Sequence, residues 1–290
     1  MSLRALRRTL AAVVAAGAAT LGLAAPTAHA DEPLRYVALG DSYSAASGVL
    51  PPDLSAPLLC LRSTRNYPHV ITERTGADLT DVTCGGAKTK DFTESQYPGV
   101  APQLDAVTAD TDLVTLTIGG NDNNTFISAI LACGTAGLGT LGHGSPCKDL
   151  YGSSFADTVV TSTYPAVRSA LEAVRAKAPH ARIAVLGYPW IMPAEADATC
   201  FAKMPIASGD VPYLRDLQAT LNGVIERAAH ETGAVFVDLS EASDGHDACA
   251  SAGERWIEPV LFGTNTVPVH PNARGEAEMA RHTLAALGLG

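Results

Sequence analysis

Apolar residues along this chain fall into two alternating patterns. Short runs bounded by glycine or polar residues read as buried strands over 36–39, 79–82, 113–118, 182–186 and 234–237. The clearest is 113–118, rich in β-branched residues and closed by Gly119-Gly120. Between them, helical spacing predicts helices over 66–75 (ending at Gly76), 100–107, 155–178 (interrupted at Pro165) and 211–232. Asp210 is the expected cap of the 211–232 helix and Gly233 its stop; a last helix is expected over 271–287, with Pro271 in its first turn. Residues 132–153 are rich in glycine and serine and read as a surface excursion held by one disulfide. Long loops are expected over 188–209, carrying Trp190, and over 240–269.

Strands that alternate with helices predict an α/β fold, a parallel, doubly wound sheet with helices on both faces. No linker divides the chain, so one domain is expected over 31–290. In such a sheet the carboxyl ends of the strands lie along one edge, where the ligand crevice forms.

Composition changes the picture at the amino terminus. Arg4, Arg7 and Arg8 precede an alanine- and leucine-rich run, and Ala28-His29-Ala30 has the small-x-small pattern of a cleavage site. A secretory signal peptide is therefore expected over 1–30, and a secreted, extracellular protein of 260 residues after cleavage. The Arg7-Arg8 pair leaves the Sec and twin-arginine routes both open. Removing three of the 20 basic residues leaves 17 against 30 acidic ones. That charge argues against nucleic acid as a partner, because phosphate contacts need lysine and arginine. No stretch after the signal is long and apolar enough to anchor in a membrane. Any contact with a lipid surface is expected to be transient, and a monomer is the default expectation. Cys60, Cys84, Cys133, Cys147, Cys200 and Cys249 imply disulfides in an exported chain. Sequence leaves 15 pairings open, of which sequential pairing is the simplest. The 133–147 loop alone would contribute roughly 3 kcal/mol by chain entropy. No Cys-x-x-Cys pair suggests zinc.

Three strand ends carry the candidate chemistry. Gly40-Asp41-Ser42 follows the first, Cys84-Gly85-Gly86-Ala87 the second and Gly119-Gly120-Asn121-Asp122 the third. A hydroxyl, a glycine N–H and a carboxamide can therefore meet at one edge, which suits acyl transfer through an oxyanion. Ser42 is the candidate nucleophile. His270, just before the last helix, is the candidate general base, since that helix returns to the sheet beside the first strand. Asp41 and Asp122 read as turn or cap residues, and Gly85 competes with Gly86 for the donor role. His246 reads as a surface turn, and Trp190 and Trp256 as either groove lining or ordinary packing. Gly85-Gly86-Ala87-Lys88-Thr89 lacks the first glycine of a phosphate-binding loop.

On these blocks the chain resembles the SGNH, or GDSL, hydrolases over essentially its whole length after the signal. Gly40-Asp41-Ser42 looks like the first block, Gly86 the second, Gly119-Gly120-Asn121-Asp122 the third and His270-Pro271 the last. The resemblance implies a flavodoxin-like three-layer α/β/α sandwich with a five-stranded parallel sheet. It implies Ser42 as nucleophile, His270 as base, and the Ser42 N–H, Gly86 N–H and Asn121 side chain as the oxyanion hole. No metal or organic cofactor is implied. Size, export and cysteine number look most like the family's small secreted actinomycete lipases and esterases. Two positions depart from the pattern. Tyr43 replaces the leucine of the GDSL name, at a position without chemistry. Val267 replaces the aspartate usual three residues before the histidine, and no acid lies between Glu258 and His270. A Ser42–His270 dyad is expected, with the imidazole oriented by the backbone carbonyl of Val267 or Pro268. Asp238, Asp244 and Asp247 are the candidates for an acid supplied from elsewhere. The expected activity is carboxylic-ester hydrolysis of lipase or esterase type, with an ester or lipid substrate. Phospholipase A or polysaccharide deacetylase activity would use the same chemistry. A non-catalytic glycan-binding protein on this scaffold would have no need of all four blocks.

Overall fold

In a computed structural model that describes residues 32–196 and 199–290, five short strands form one all-parallel sheet. They are β1 (Arg35–Ala38), β2 (Asp78–Asp81), β3 (Leu113–Leu116), β4 (Arg182–Leu186) and β5 (Val235–Val237), in the order β2-β1-β3-β4-β5. The signal peptide expected over 1–30 lies outside the described residues. Strands β1, β3 and β4 are buried on both faces beyond their first residues, whereas the edge strands β2 and β5 are partly exposed. Continuous apolar runs are what a parallel sheet covered on both faces requires.

The helices are α1 (Ser42–Ala45), α2 (Tyr67–Thr75), α3 (Thr125–Gly139), α4 (Pro146–Tyr151), α5 (Ser154–Thr158), α6 (Tyr164–Lys177), α7 (Cys200–Lys203), α8 (Asp210–Thr232) and α9 (Ala273–Leu287). From β1 the chain crosses outward to β2, and from β3 it runs the other way to β4 and β5. Right-handed crossovers therefore put α2 and α6/α8 on opposite faces. Helix α9 packs on α2, and α6 packs on α8, which completes three layers. The reversal of strand order falls between β1 and β3, and doubly wound sheets open their ligand crevice at that point. Ser42 leaves the sheet there.

Several local expectations change in the folded chain. The predicted 100–107 helix is a single 3-10 turn, Gln103–Ala106. Gln103 turns inward and clamps Gly40, accepting from its N–H (2.7 Å) and donating to its carbonyl (3.0 Å). The 132–153 stretch is largely helical, in α3 and α4 joined by Cys133–Cys147. Of its glycines, Gly134, Gly137 and Gly139 sit inside α3, and the 205–207 backbone crosses against Gly137, where a side chain would collide. Pro165 does not break the long helix. It supplies no N–H to the preceding turn, and Val159–Thr163 widens into a π segment. Asp210 begins α8 and caps a different helix: its carboxylate accepts from the N–H groups of Cys147 and Lys148 in the first turn of α4 (3.0 and 2.9 Å). Asn272, which follows Pro271, caps α9. The other two disulfides are Cys60–Cys84 and Cys200–Cys249.

Candidate active site

Gly40 lies two residues beyond β1, and a side chain there would collide with the Thr117 carbonyl, so only glycine lets the chain turn this closely past the segment after the third strand. Asp41 caps the one-turn helix α1. Its Oδ1 accepts from Tyr43 N–H (3.0 Å) and Thr117 Oγ1 (2.7 Å), and its Oδ2 from the Tyr188 hydroxyl (2.5 Å). Tyr188 in turn accepts from Gly120 N–H (3.0 Å). One buried carboxylate thus ties the turn after β1 to the loop after β3. Burial pushes it up to about 6, against the opposing hydrogen bonds of Tyr188 and Thr117.

Ser42 Oγ lies 2.7 Å from His270 Nε2, and His270 Nδ1 lies 2.7 Å from the Pro268 carbonyl. A carbonyl only accepts, so the proton of the neutral ring sits on Nδ1 and the Nε2 lone pair faces the serine hydroxyl. The acceptor is Pro268; the Val267 carbonyl makes no bond to the ring. Burial lowers the His270 pKa, and the Pro268 hydrogen bond opposes this only in part. His270 is partly buried.

The histidine's backbone is held at three points. Val269 N–H donates to Glu258 C=O (2.8 Å), Glu258 N–H to His270 C=O (2.9 Å) and the Tyr43 hydroxyl to Val269 C=O (2.8 Å). Glu258 is itself buried against Arg255 (2.6 Å) and Asn272 (2.9 Å). Burial raises its carboxyl, but the Arg255, Asn272 and Thr264 hydrogen bonds outweigh that and hold it below its usual value. Tyr43, read from sequence as a position without chemistry, therefore holds the histidine loop. Neither Tyr188 nor Glu258 carried a sequence signal, because both act through contacts more than 100 residues away or through the backbone.

Of the glycine pair, Gly85 N–H is already committed to the Cys60 carbonyl (2.7 Å), whereas Gly86 N–H and Ser42 N–H have no acceptor among the described residues. Asn121 Nδ2 donates one hydrogen to Ala87 C=O (3.1 Å), which leaves its second hydrogen free. Beside Ser42, His270 and Asn121 a cleft of about 210 Å³ opens, lined by Phe126, Ile127, Ile130, Leu131, Ile191 and Val260.

The remaining candidates lie elsewhere. Asp238 bonds Ser240, Asp244 pairs with Arg215 (2.7 Å) and Asp247 accepts from Cys249 N–H (2.8 Å); none bonds His270. Asp122 accepts from Thr89 N–H and anchors that loop. Trp190 lies beneath the Arg215 guanidinium, and Trp256 stacks on His246, so neither tryptophan lines the cleft. Among the described residues, no group of three or more His, Cys, Asp or Glu side chains is placed to hold a metal, and no helix is long and apolar enough to cross a membrane.

The model of the GDSL-like lipase/acylhydrolase family matches residues 38–277. Lipase 2 of Streptomyces coelicolor is 66% identical over 291 residues, covering 98% of each chain. A lipase of Streptomyces rimosus is 31% identical over 90% of this chain and 88% of its own. Among solved structures, phospholipase A1 of Streptomyces albidoflavus superposes with a TM-score of 0.71 at 29% identity, over 88% of this chain and 98% of that one. The extracellular lipase of S. rimosus gives the same TM-score at 28% identity, with the same coverage.

Proposed function

Because the chain belongs to the GDSL-like lipase/acylhydrolase family and is a carboxylic ester hydrolase, we propose that it is a secreted lipase or esterase working through a Ser42–His270 dyad. The observation that carries this reading is the continuous line from Ser42 Oγ through the His270 ring to the Pro268 carbonyl. Ser42 Oγ attacks the acyl carbonyl while Nε2 takes its proton. The N–H groups of Ser42 and Gly86 and the free hydrogen of Asn121 hold the oxyanion. His270 then gives the proton to the leaving alcohol, and a water repeats the sequence on the acyl-enzyme to release the acid. The Pro268 carbonyl fixes the tautomer but stabilises imidazolium less than a carboxylate would, since it carries only a partial charge. The three disulfides support an extracellular location, where such bonds persist.

The apolar cleft supports acyl chains longer than acetyl and makes deacetylation of polysaccharides the weaker match. Similarity to a phospholipase A1 makes phosphatidylcholine the second substrate to test beside a triglyceride.

A p-nitrophenyl ester panel of rising chain length tests the proposal. Ser42→Ala is expected to abolish hydrolysis, and an organophosphonate to label Ser42 in the wild type. Hydrolysis that survives Ser42→Ala would sink the mechanism. Asp238→Asn, Asp244→Asn and Asp247→Asn should each keep kcat within about twofold; a folded variant that lost most of it would restore a triad.

A further inference from the structure

The oxyanion donor assigned to Gly86 has a backbone problem that a side chain outside the four family blocks solves. Gly85 and Gly86 are adjacent glycines, so no Cβ on either side restrains the peptide unit between them from flipping. That peptide is trans, since the one cis bond among the described residues is Leu50–Pro51. In a planar trans unit the Gly85 carbonyl and the Gly86 N–H point in opposite directions. Whatever fixes the carbonyl therefore aims the N–H.

The carbonyl is fixed by Gln96, whose Nε2 donates to it at 2.8 Å. Only the NH2 end of an amide can face a carbonyl, so the orientation of the side chain follows from the contact. The other end of Gly85 is held by the Cys60 carbonyl, next to the Cys60–Cys84 disulfide. Gln96 comes from a tight turn closed by Ser95 Oγ, which lies 2.7 and 2.6 Å from the carbonyls of Tyr97 and Val100. Gln96 is half-buried, and its Nε2 and the Tyr97 hydroxyl lie 3.8 and 3.9 Å from where a Cβ on Gly86 would stand. We infer that Gln96 is a positioning residue for catalysis: by holding the Gly85 carbonyl it aims the Gly86 N–H at the oxyanion. The inference rests on the reading of Gly86 as an oxyanion donor.

Two substitutions test it. Gln96→Met keeps the length and removes the donor. Complete loss of one oxyanion donor costs about 10²–10³ in kcat, so a misaimed one is expected to cost roughly 10–100-fold, with KM within about twofold. A thionoester supplies the readout that a merely structural role would not move. Its C=S accepts hydrogen bonds poorly, so the oxo-ester rate of Gln96→Met should fall much further than the thionoester rate. Gln96→Glu adds a pH signature. The carboxylate cannot donate to a carbonyl, but the carboxylic acid can. The variant's kcat relative to wild type at each pH should therefore climb as pH is lowered from 8 towards 5. If Gln96→Met fails to fold, the Gln96→Glu ratio decides. Wild-type kcat in Gln96→Met, an equal fall on both substrates, or a pH-independent Gln96→Glu ratio would overturn the assignment. Ser42→Ala is run in parallel. If it abolishes hydrolysis while the Gln96 variants behave as wild type, the positioning role alone fails. If Ser42→Ala stays active, the dyad fails and this inference with it.

Discussion

His270 donates Nδ1–H to a carbonyl where a carboxylate stands in a full triad, and this sets how the residue titrates. With no negative charge beside it to favour imidazolium, burial dominates and its pKa falls below 6.5. The neutral ring, the form the proposed base requires, therefore persists into mildly acid solution. The acid limb of kcat/KM for a soluble ester should have its apparent pKa below 6.5; an inflection near 7 or above would show a charged partner that this geometry lacks. Tyr43 is the second residue whose chemistry is local. Tyr43→Phe removes the donor to Val269 C=O, at a cost of about 1 kcal/mol in stability. Because that carbonyl belongs to the residue before His270, the proposed base, kcat should fall several-fold while KM holds. Unchanged kcat would assign the hydroxyl to stability alone.

The disulfides differ in what their elements carry. Cys60–Cys84 holds the segment that presents Gly85 and Gly86, whereas Cys133–Cys147 joins α3 to α4. Removing either pair as a double alanine variant should cost about 3 kcal/mol by urea unfolding. Only Cys60→Ala/Cys84→Ala is expected also to lower kcat on a soluble ester, by tenfold or more, since it frees the loop of the proposed oxyanion donor Gly86. Equal kcat losses in the two variants would remove that distinction. Buried acids bind other elements together in the same way: Asp210 caps α4, and Glu276, in the first turn of α9, accepts from Tyr67 N–H at the start of α2 (2.7 Å).

Across the whole molecule these acids give stability and activity opposite pH trends. Burial pushes Asp41 up to about 6, Glu276 well above its usual value, and Asp122 and Asp247 upward. For a raised carboxyl the folded state favours the proton. Its contribution is full below the unfolded value, about 4, and is lost as pH rises through the folded one. His270 has the opposite sign: its pKa is lowered, so its contribution is lost as pH falls through that value. Two histidines held low, His270 and His282, stand against four raised carboxyls, and the carboxyls held low, Glu258, Asp53, Asp112 and Glu231, lose their contribution only below the ordinary carboxylate range. A chain with net charge −10 also repels itself less as acid is added. Tm is therefore expected to hold or rise from pH 7 to 5, whereas kcat/KM falls once pH passes below the lowered His270 value. A Tm that drops steadily over that interval would refute the account.

What the sequence determined by itself was the frame and the line-up of the site. Parallel-sheet strands are short apolar runs, and Gly40-Asp41-Ser42, Gly86, Gly119-Gly120-Asn121 and His270 stand at the ends of elements, so their meeting at one edge follows from order alone. The departure from the family pattern at Val267 was legible as well. Tertiary structure decided what depends on direction rather than order. It chose Pro268 over Val267 as the acceptor and left Gly86 rather than Gly85 with a free N–H. It made a helix of the glycine-rich 132–139 segment, because packing against the 205–207 backbone outweighed local propensity. Tyr43, Gln96, Tyr188 and Glu258 entered the site through hydrogen bonds to distant side chains or to backbone, and a carbonyl's direction leaves no mark in an amino-acid alphabet.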